Sequence, residues 1–164
     1  MIVFKIPKSE VKYYDSDTVS VISNIAKRPP DFDISNIREL EREAFNKEEK
    51  IRYLLHEIKE EKPYFDPIIN HEHIESVICV KPKLDNPRVI RQDGAFFLFG
   101  MDGSKRVQAK FSKEYLFMRG SVKLIINGDG KDKLKRQLAS IGISEANMFP
   151  EIDSVSNYLK SRFK

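Results

Sequence analysis

The chain has 164 residues, 40% of them hydrophobic and 33% charged, with 7 glycines and 8 prolines. This excludes a disordered or collagen-like chain and fits one domain of common size. The net charge of +4 hides a split: residues 1–80 carry 12 Lys/Arg against 16 Asp/Glu, net −4, and residues 81–164 carry 17 against 9, net +8. A basic half suits phosphate, but its densest run, Lys131 to Arg136, has no interleaved aromatic side chains, so nucleic acid is not the expected partner. No apolar run approaches the roughly 20 residues of a membrane span, and the N-terminus lacks a charged start followed by an apolar stretch. A cytoplasmic protein without a membrane partner is expected.

In chain order, "IVFKI" (residues 2–6) is β-branched and aromatic and reads as a strand stopped by Pro7. Asp15, Ser16 and Asp17 offer N-cap oxygens to a short helix in which Val19, Ile22, Ile25 and Ala26 recur at helical spacing. "RPPDFD" is a loop, and Ser35 or Asn36 can cap the next segment. Asn46 with Glu49 reads as a capping pair for "KEEKIRYLLHEIKEEK", whose Ile51, Leu54, Leu55 and Ile58 form one apolar stripe. "PYFDPIIN" is a turn-rich connection, and "ESVICVKP" is a second strand closed by Pro82. Its Cys79, the single cysteine, reads as a small core residue. In "NHEHIE", His71 and His73 stand two apart with no second cluster to complete a set of ligands, so no metal is expected.

"NPRVIRQDGAFFLFG" (residues 86–100) sets a polar cluster before a run apolar enough for a strand buried on both faces. The strand at residues 95–99 is expected at the centre of the sheet. Arg88, Arg91, Gln92 and Gly94 then lie at its mouth and are the first ligand-binding candidates, Arg88 as a planar fork for carboxylate or phosphate and Gln92 as an amide able to read a ring edge. Tyr14, Asp15, Ser16 and Asp17, in the turn before the first helix, are further candidates.

Beyond the "MDGSKR" turn, "VQAKF" alternates like an outer strand and "SVKLIIN" gives another, at residues 122–126. Leu134, Leu138 and Ile141 recur at i, i+4 and i+7 with Lys131, Lys133, Lys135 and Arg136 on the other faces, and Gly142 ends this helix. A last helix spans about residues 150–163, with Val155, Leu159 and Phe163 on one face. Strands and helices do not alternate regularly, so the expected fold is α+β, a mixed or antiparallel sheet of about five strands with flanking helices in a single domain, residues 1–164.

Several of these stretches resemble the FRG domain, known mainly from bacterial and phage proteins and named for a Phe-Arg-Gly motif near its start. The most specific piece is carried by Asn86, Pro87, Arg88, Gln92, Asp93, Gly94, Ala95 and Phe96. "IVFKIPKSEVKYYDSDTVSVISNIAK", "LLHEIKEEKPYFDPII" and "FPEIDSVSNYLK" resemble its other blocks. The resemblance is to the C-terminal part. The Phe-Arg-Gly segment would precede residue 2, and "FMRG" at residues 117–120 falls in the wrong place. The family's order of blocks is in turn similar to ADP-ribosyltransferase-like folds, which implies a nucleotide or NAD cleft. There Gln92 would stand where a glutamate is common, an amide that can bond a ribose but cannot act as a base. Whether the chain is catalytic is left open, and no catalytic residue is named. The resemblance implies a companion chain carrying the other half, or self-association. The alternative is a non-catalytic interaction module, of the kind a phage-derived or defence-related remnant would supply.

Overall fold

The computed structural model describes residues 2–117 and 124–162. It mixes helix and strand in the α+β manner, and its backbone divides into two compact units: Ile6–Lys81 with Phe96–Lys113, and Met1–Lys5 with Pro82–Ala95 and Glu114–Lys164.

The larger unit holds a three-stranded sheet rather than one of about five strands. β1 (Val11–Tyr13), which comes after a short 3-10 turn, leads into helices α1 (Asp17–Asn24), α2 (Arg42–Lys47), α3 (Glu49–Glu61) and α4 (His71–Ile74). β2 (Val77–Lys81) then pairs in parallel with β1, Val11 opposite Cys79, and antiparallel with β3 (Phe96–Phe99), Val77 opposite Phe99. The sheet order β1-β2-β3 makes β2 central and corrects the expectation for residues 95–99. β2 buries Ile78 and Val80 on one face, whereas Phe96 and Phe99 of the edge strand are 55% and 40% exposed. A run of phenylalanines satisfies β propensity wherever the strand lies, so it does not report burial.

β4 (Met101–Asp102) and β5 (Ser104–Gln108) form a separate hairpin, so the outer strand begins earlier than "VQAKF" implies. Gly103 turns it at φ +70, and Ile34 N–H donates to Gly103 O at 2.7 Å while Lys105 N–H donates to Phe32 O at 2.9 Å, which ties the 32–34 loop to the hairpin. Neither Ser35 nor Asn36 caps a helix, since α2 takes Glu41 as its N-cap; Asp33 Oδ1 instead fastens the loop, accepting from Ser35 N–H at 2.7 Å, a bond that holds the carboxyl below its ordinary range.

The helices of the larger unit pack through the predicted stripe. Ile51, Leu54 and Ile58 of α3 are fully buried with Leu55 packed against them, and they meet Val21 and Ile22 of α1 and Phe45 of α2 in one core. Burying side chains of this size contributes roughly 1.5–3 kcal/mol each. Asn46 does not cap α3, whose N-cap is Glu48 without a side-chain bond. Its amide instead clamps Ile69, accepting from its N–H at 2.7 Å and donating to its carbonyl at 2.8 Å. The turn-rich "PYFDPIIN" is thereby fastened as part of the core, with Phe65 and Ile69 buried.

The smaller unit has another construction. The expected strand at residues 2–6 is reduced to one bridge, Phe4 to Leu116, flanked by Lys5 N–H to Tyr115 O at 2.8 Å and Phe117 N–H to Val3 O at 2.9 Å. Pro7 lacks the N–H that would continue it. The unit adds α5 (Pro87–Arg91), α6 (Lys131–Ser140), α7 (Glu145–Met148) and α8 (Ile152–Arg162). Of the strand expected at residues 122–126, residues 124–126 carry no strand and the rest lie outside the described residues, as do Phe163 and most of "FMRG". α6 ends in a left-handed cap: Gly142 adopts φ +86, its N–H donates to Ala139 O at 3.1 Å, and Ile143 N–H donates to Leu138 O at 2.9 Å.

Candidate functional site

The polar cluster at residues 86–94 is built on a short helix. Asn86 Oδ1 accepts from the N–H groups of Arg88 at 2.9 Å and Val89 at 3.4 Å, and Pro87 occupies the first turn, where its missing N–H costs nothing. The chain leaves α5 through Asp93, which takes the left-handed conformation at φ +44 while Gly94 N–H donates to Val89 O at 2.9 Å. Aspartate tolerates that region better than most residues. Gly94 therefore is not the residue whose conformation the turn demands, and a Cβ there would meet Val89 Cγ1 at an ordinary 3.4 Å.

Arg88 and Gln92 stand four apart on one face of α5, and both reach the segment between α7 and α8. The Arg88 guanidinium lies 4.9 Å from the centre of the Phe149 ring, with Nη1 3.6 Å from Glu151 Oε1. Gln92 Nε2 donates to Met148 O at 3.0 Å. Both partners of the Arg88–Glu151 pair are about half exposed, so that contact is worth at most about 1 kcal/mol, and the cation–π contact is of similar size. The amide of Gln92 is committed to the backbone, whereas the half-exposed Arg88 fork holds its place without a tight carboxylate bond. Arg91, on the same short helix, is exposed, and its side chain makes no hydrogen bond or ion pair with a described residue.

Tyr14, Asp15, Ser16 and Asp17 belong to the larger unit and form the turn from β1 into α1. Tyr14 N–H donates to Lys81 O at 3.0 Å, extending the pairing of β1 with β2. Lys62 Nζ grips the turn, donating to Asp15 O at 2.8 Å and to Asp17 Oδ1 at 2.5 Å. Ser16 stands at the N-cap position, but its hydroxyl bonds no backbone N–H of α1, and its Oγ is buried. The ring of Tyr14 is 47% exposed. The polar atoms of Asp15 and Asp17 used here hold the fold.

A second polar assembly, without a local signal in the sequence, locks α1 to α3. Buried Asn24 donates to Ser20 O at 2.9 Å and to Glu61 Oε2 at 3.4 Å, and Lys27 Nζ meets Glu61 Oε1 at 2.5 Å. Arg28 pairs with Glu57 at 2.9 Å and lies between the rings of Phe32 and Tyr53, 5.7 and 5.5 Å from their centres. Burial pushes the Cys79 thiol up, the direction opposite to that of a reactive thiolate. His71 packs edge-on to Phe45 at 6.0 Å, and among the described residues no three His, Cys, Asp or Glu side chains are grouped as metal ligands.

Compared with models of known protein families, with curated proteins and with solved structures, the chain matches none. The functional reading rests on the residues themselves.

Proposed function

We propose that this chain is an FRG-like interaction module of the cytoplasm, with its docking surface on the smaller unit and a second copy of the chain as its occupant when purified alone. The observation that supports it is the distribution of apolar surface. None of the described side chains of the smaller unit is buried, while Ile152 is 85% and Leu159 48% exposed, and with Val155 they line an open groove of about 430 Å³ on α8. Apolar surface gathered in this way drives association, and in a solution of one protein the only apolar surface on offer is another copy. The larger unit differs in having a buried core of its own, although Phe96 and Phe99 of β3 are exposed. Light scattering across a wide concentration range is expected to show dimers or larger species for the intact chain and a shift toward monomer for Ile152→Gln with Leu159→Gln. A monomer mass at every concentration would end this reading.

A second reading, a nucleotide or NAD cleft of ADP-ribosyltransferase type completed by a companion segment, is favoured by one feature. Arg88 stacks on Phe149 with half of its side chain exposed, which leaves a guanidinium fork presented beside an aromatic ring. On this reading, calorimetric titration with NAD gives heat with the intact chain and none with Arg88→Ala. No heat with the intact chain would remove the cleft from consideration.

A further inference from the structure

We propose that α6 is a surface-seeking helix that binds anionic lipid headgroups while its outward apolar stripe enters the boundary of the acyl chains. The direction of the stripe is the first reason. At about 100° per residue, Leu134, Leu138 and Ile141 fall within about 60° of one another, Arg136, Ala139 and Ser140 occupy the opposite side, and Lys135 stands at the border. That opposite side borders an open groove of about 490 Å³, lined by Arg136, Ala139 and Ser140 together with Lys135 and with Tyr158 of α8. Most of the stripe lies open to solvent: Leu134 is 39%, Ile141 71% and the adjoining Ile143 43% exposed, and only Leu138 is half-buried. An amphipathic helix normally turns its apolar face inward. Here Leu134 and Ile141 stay exposed.

The charges flanking the stripe name the occupant. Lys131, Lys133 and Lys135 border the stripe and Arg136 stands behind it; all four are exposed, and none makes an ion pair with a described residue. Two α6 faces brought together would set these cations against one another, so a second copy does not cover this stripe. A nucleic-acid backbone would neutralise the cations but leave three aliphatic side chains without a role. An anionic lipid surface uses both features at once. It also differs from a membrane span: no helix among the described residues is long and apolar enough to cross a bilayer, but a surface helix needs only one apolar stripe and a cationic border.

The test is flotation of the whole chain with vesicles of phosphatidylcholine alone and of phosphatidylcholine with about one third phosphatidylserine. Binding to the anionic vesicles and not to the neutral ones is expected. Lys131→Gln with Lys135→Gln should weaken it about 25-fold, taking about a fivefold loss for each surface cation. Leu134→Gln with Ile141→Gln, at exposed positions, should abolish it without loss of helical signal. The α8 variants Ile152→Gln and Leu159→Gln should float as the parent does, which separates this inference from the docking role of α8. No binding to anionic vesicles, equal binding to both kinds, or unchanged binding after loss of Leu134 and Ile141 would each overturn it, the last pointing to polyanion binding such as single-stranded nucleic acid instead.

Discussion

Gly100→Ala is expected to destabilise the larger unit by at least about 4 kcal/mol, enough to deplete the folded protein. Gly100 comes directly after β3 and is buried where two backbones come together: its N–H donates to Ser76 O at 2.8 Å, and its carbonyl accepts from Ala109 N–H at 3.0 Å. A Cβ built at this position lies 2.0 Å from Ile74 O, 2.8 Å from Ser76 O and 2.9 Å from Ile74 C. All three are backbone atoms, so no side chain can rotate away. The conflict is resolved only by separating β3 from the α4–β2 connection, which would break the bonds that align β2 with β3. The residue's φ is not in the left-handed region, so the requirement for glycine here is one of space alone. Urea unfolding monitored by far-ultraviolet circular dichroism is the measurement of choice, because the chain has no tryptophan. A variant within about 1 kcal/mol of the parent would mean that the two backbones can part at little cost. Gly128→Ala, where a Cβ meets nothing within 4 Å, is the matched control.

The sequence makes legible whatever repeats locally. The α3 stripe is legible because three fully buried side chains recur at helical spacing against charged neighbours, and β2 because a short, mostly β-branched apolar run ends at a proline. α6 is legible for the same reason, although Leu134 and Ile141 of its stripe are exposed, a fact of packing that periodicity does not contain. The place of β3 in the sheet is not legible, because four aromatic and aliphatic residues in succession look alike at a centre and at an edge. α5 is five residues long, too short for a period, yet Asn86 with Pro87 after it is an N-cap and first-turn pair that signals a helix start. Phe65 and Ile69 are hidden in a segment without any period, held by an amide from Asn46, 23 residues before Ile69.

The candidate site divides in the same way. Arg88 and Gln92 can be singled out by chemistry, but their partners cannot: Met148 lies 56 residues beyond Gln92, and nothing in "NMFPE" announces a contact with α5. Tyr14 to Asp17 stand out in the sequence as polar groups preceding a helix, and in the structure the turn they form is gripped by Lys62, a residue in the loop after α3. A planar donor or a carboxylate in a sequence is equally suited to a ligand and to the fold, and tertiary neighbours decide which one it serves.

Leu54→Ala is expected to cost the larger unit between about 2 and 5 kcal/mol, toward the upper end of that range. Leu54 is fully buried, one turn from both Ile51 and Ile58, in the helix that packs on α1 and on α2. Removing its isopropyl group forfeits the transfer free energy of three carbons and leaves a void whose walls resist collapse. Two of those walls are fixed independently, since α1 is locked to α3 by Asn24, Lys27 and Arg28, and the segment at Ile69 is clamped by Asn46. A site that cannot relax keeps its cavity, and the penalty grows with the volume retained. Leu55→Ala provides the internal comparison: Leu55 is only partly buried at the margin of the same core, so its truncation should cost less than half as much. In urea, the Leu54 variant should move the transition midpoint while leaving the slope unchanged, the signature of lost stability without a changed unfolded state. Equal costs at positions 54 and 55 would show that α3 does not present the Ile51–Leu54–Ile58 face inward, and with it the packing of α1 and α2 on this helix would have to be redrawn.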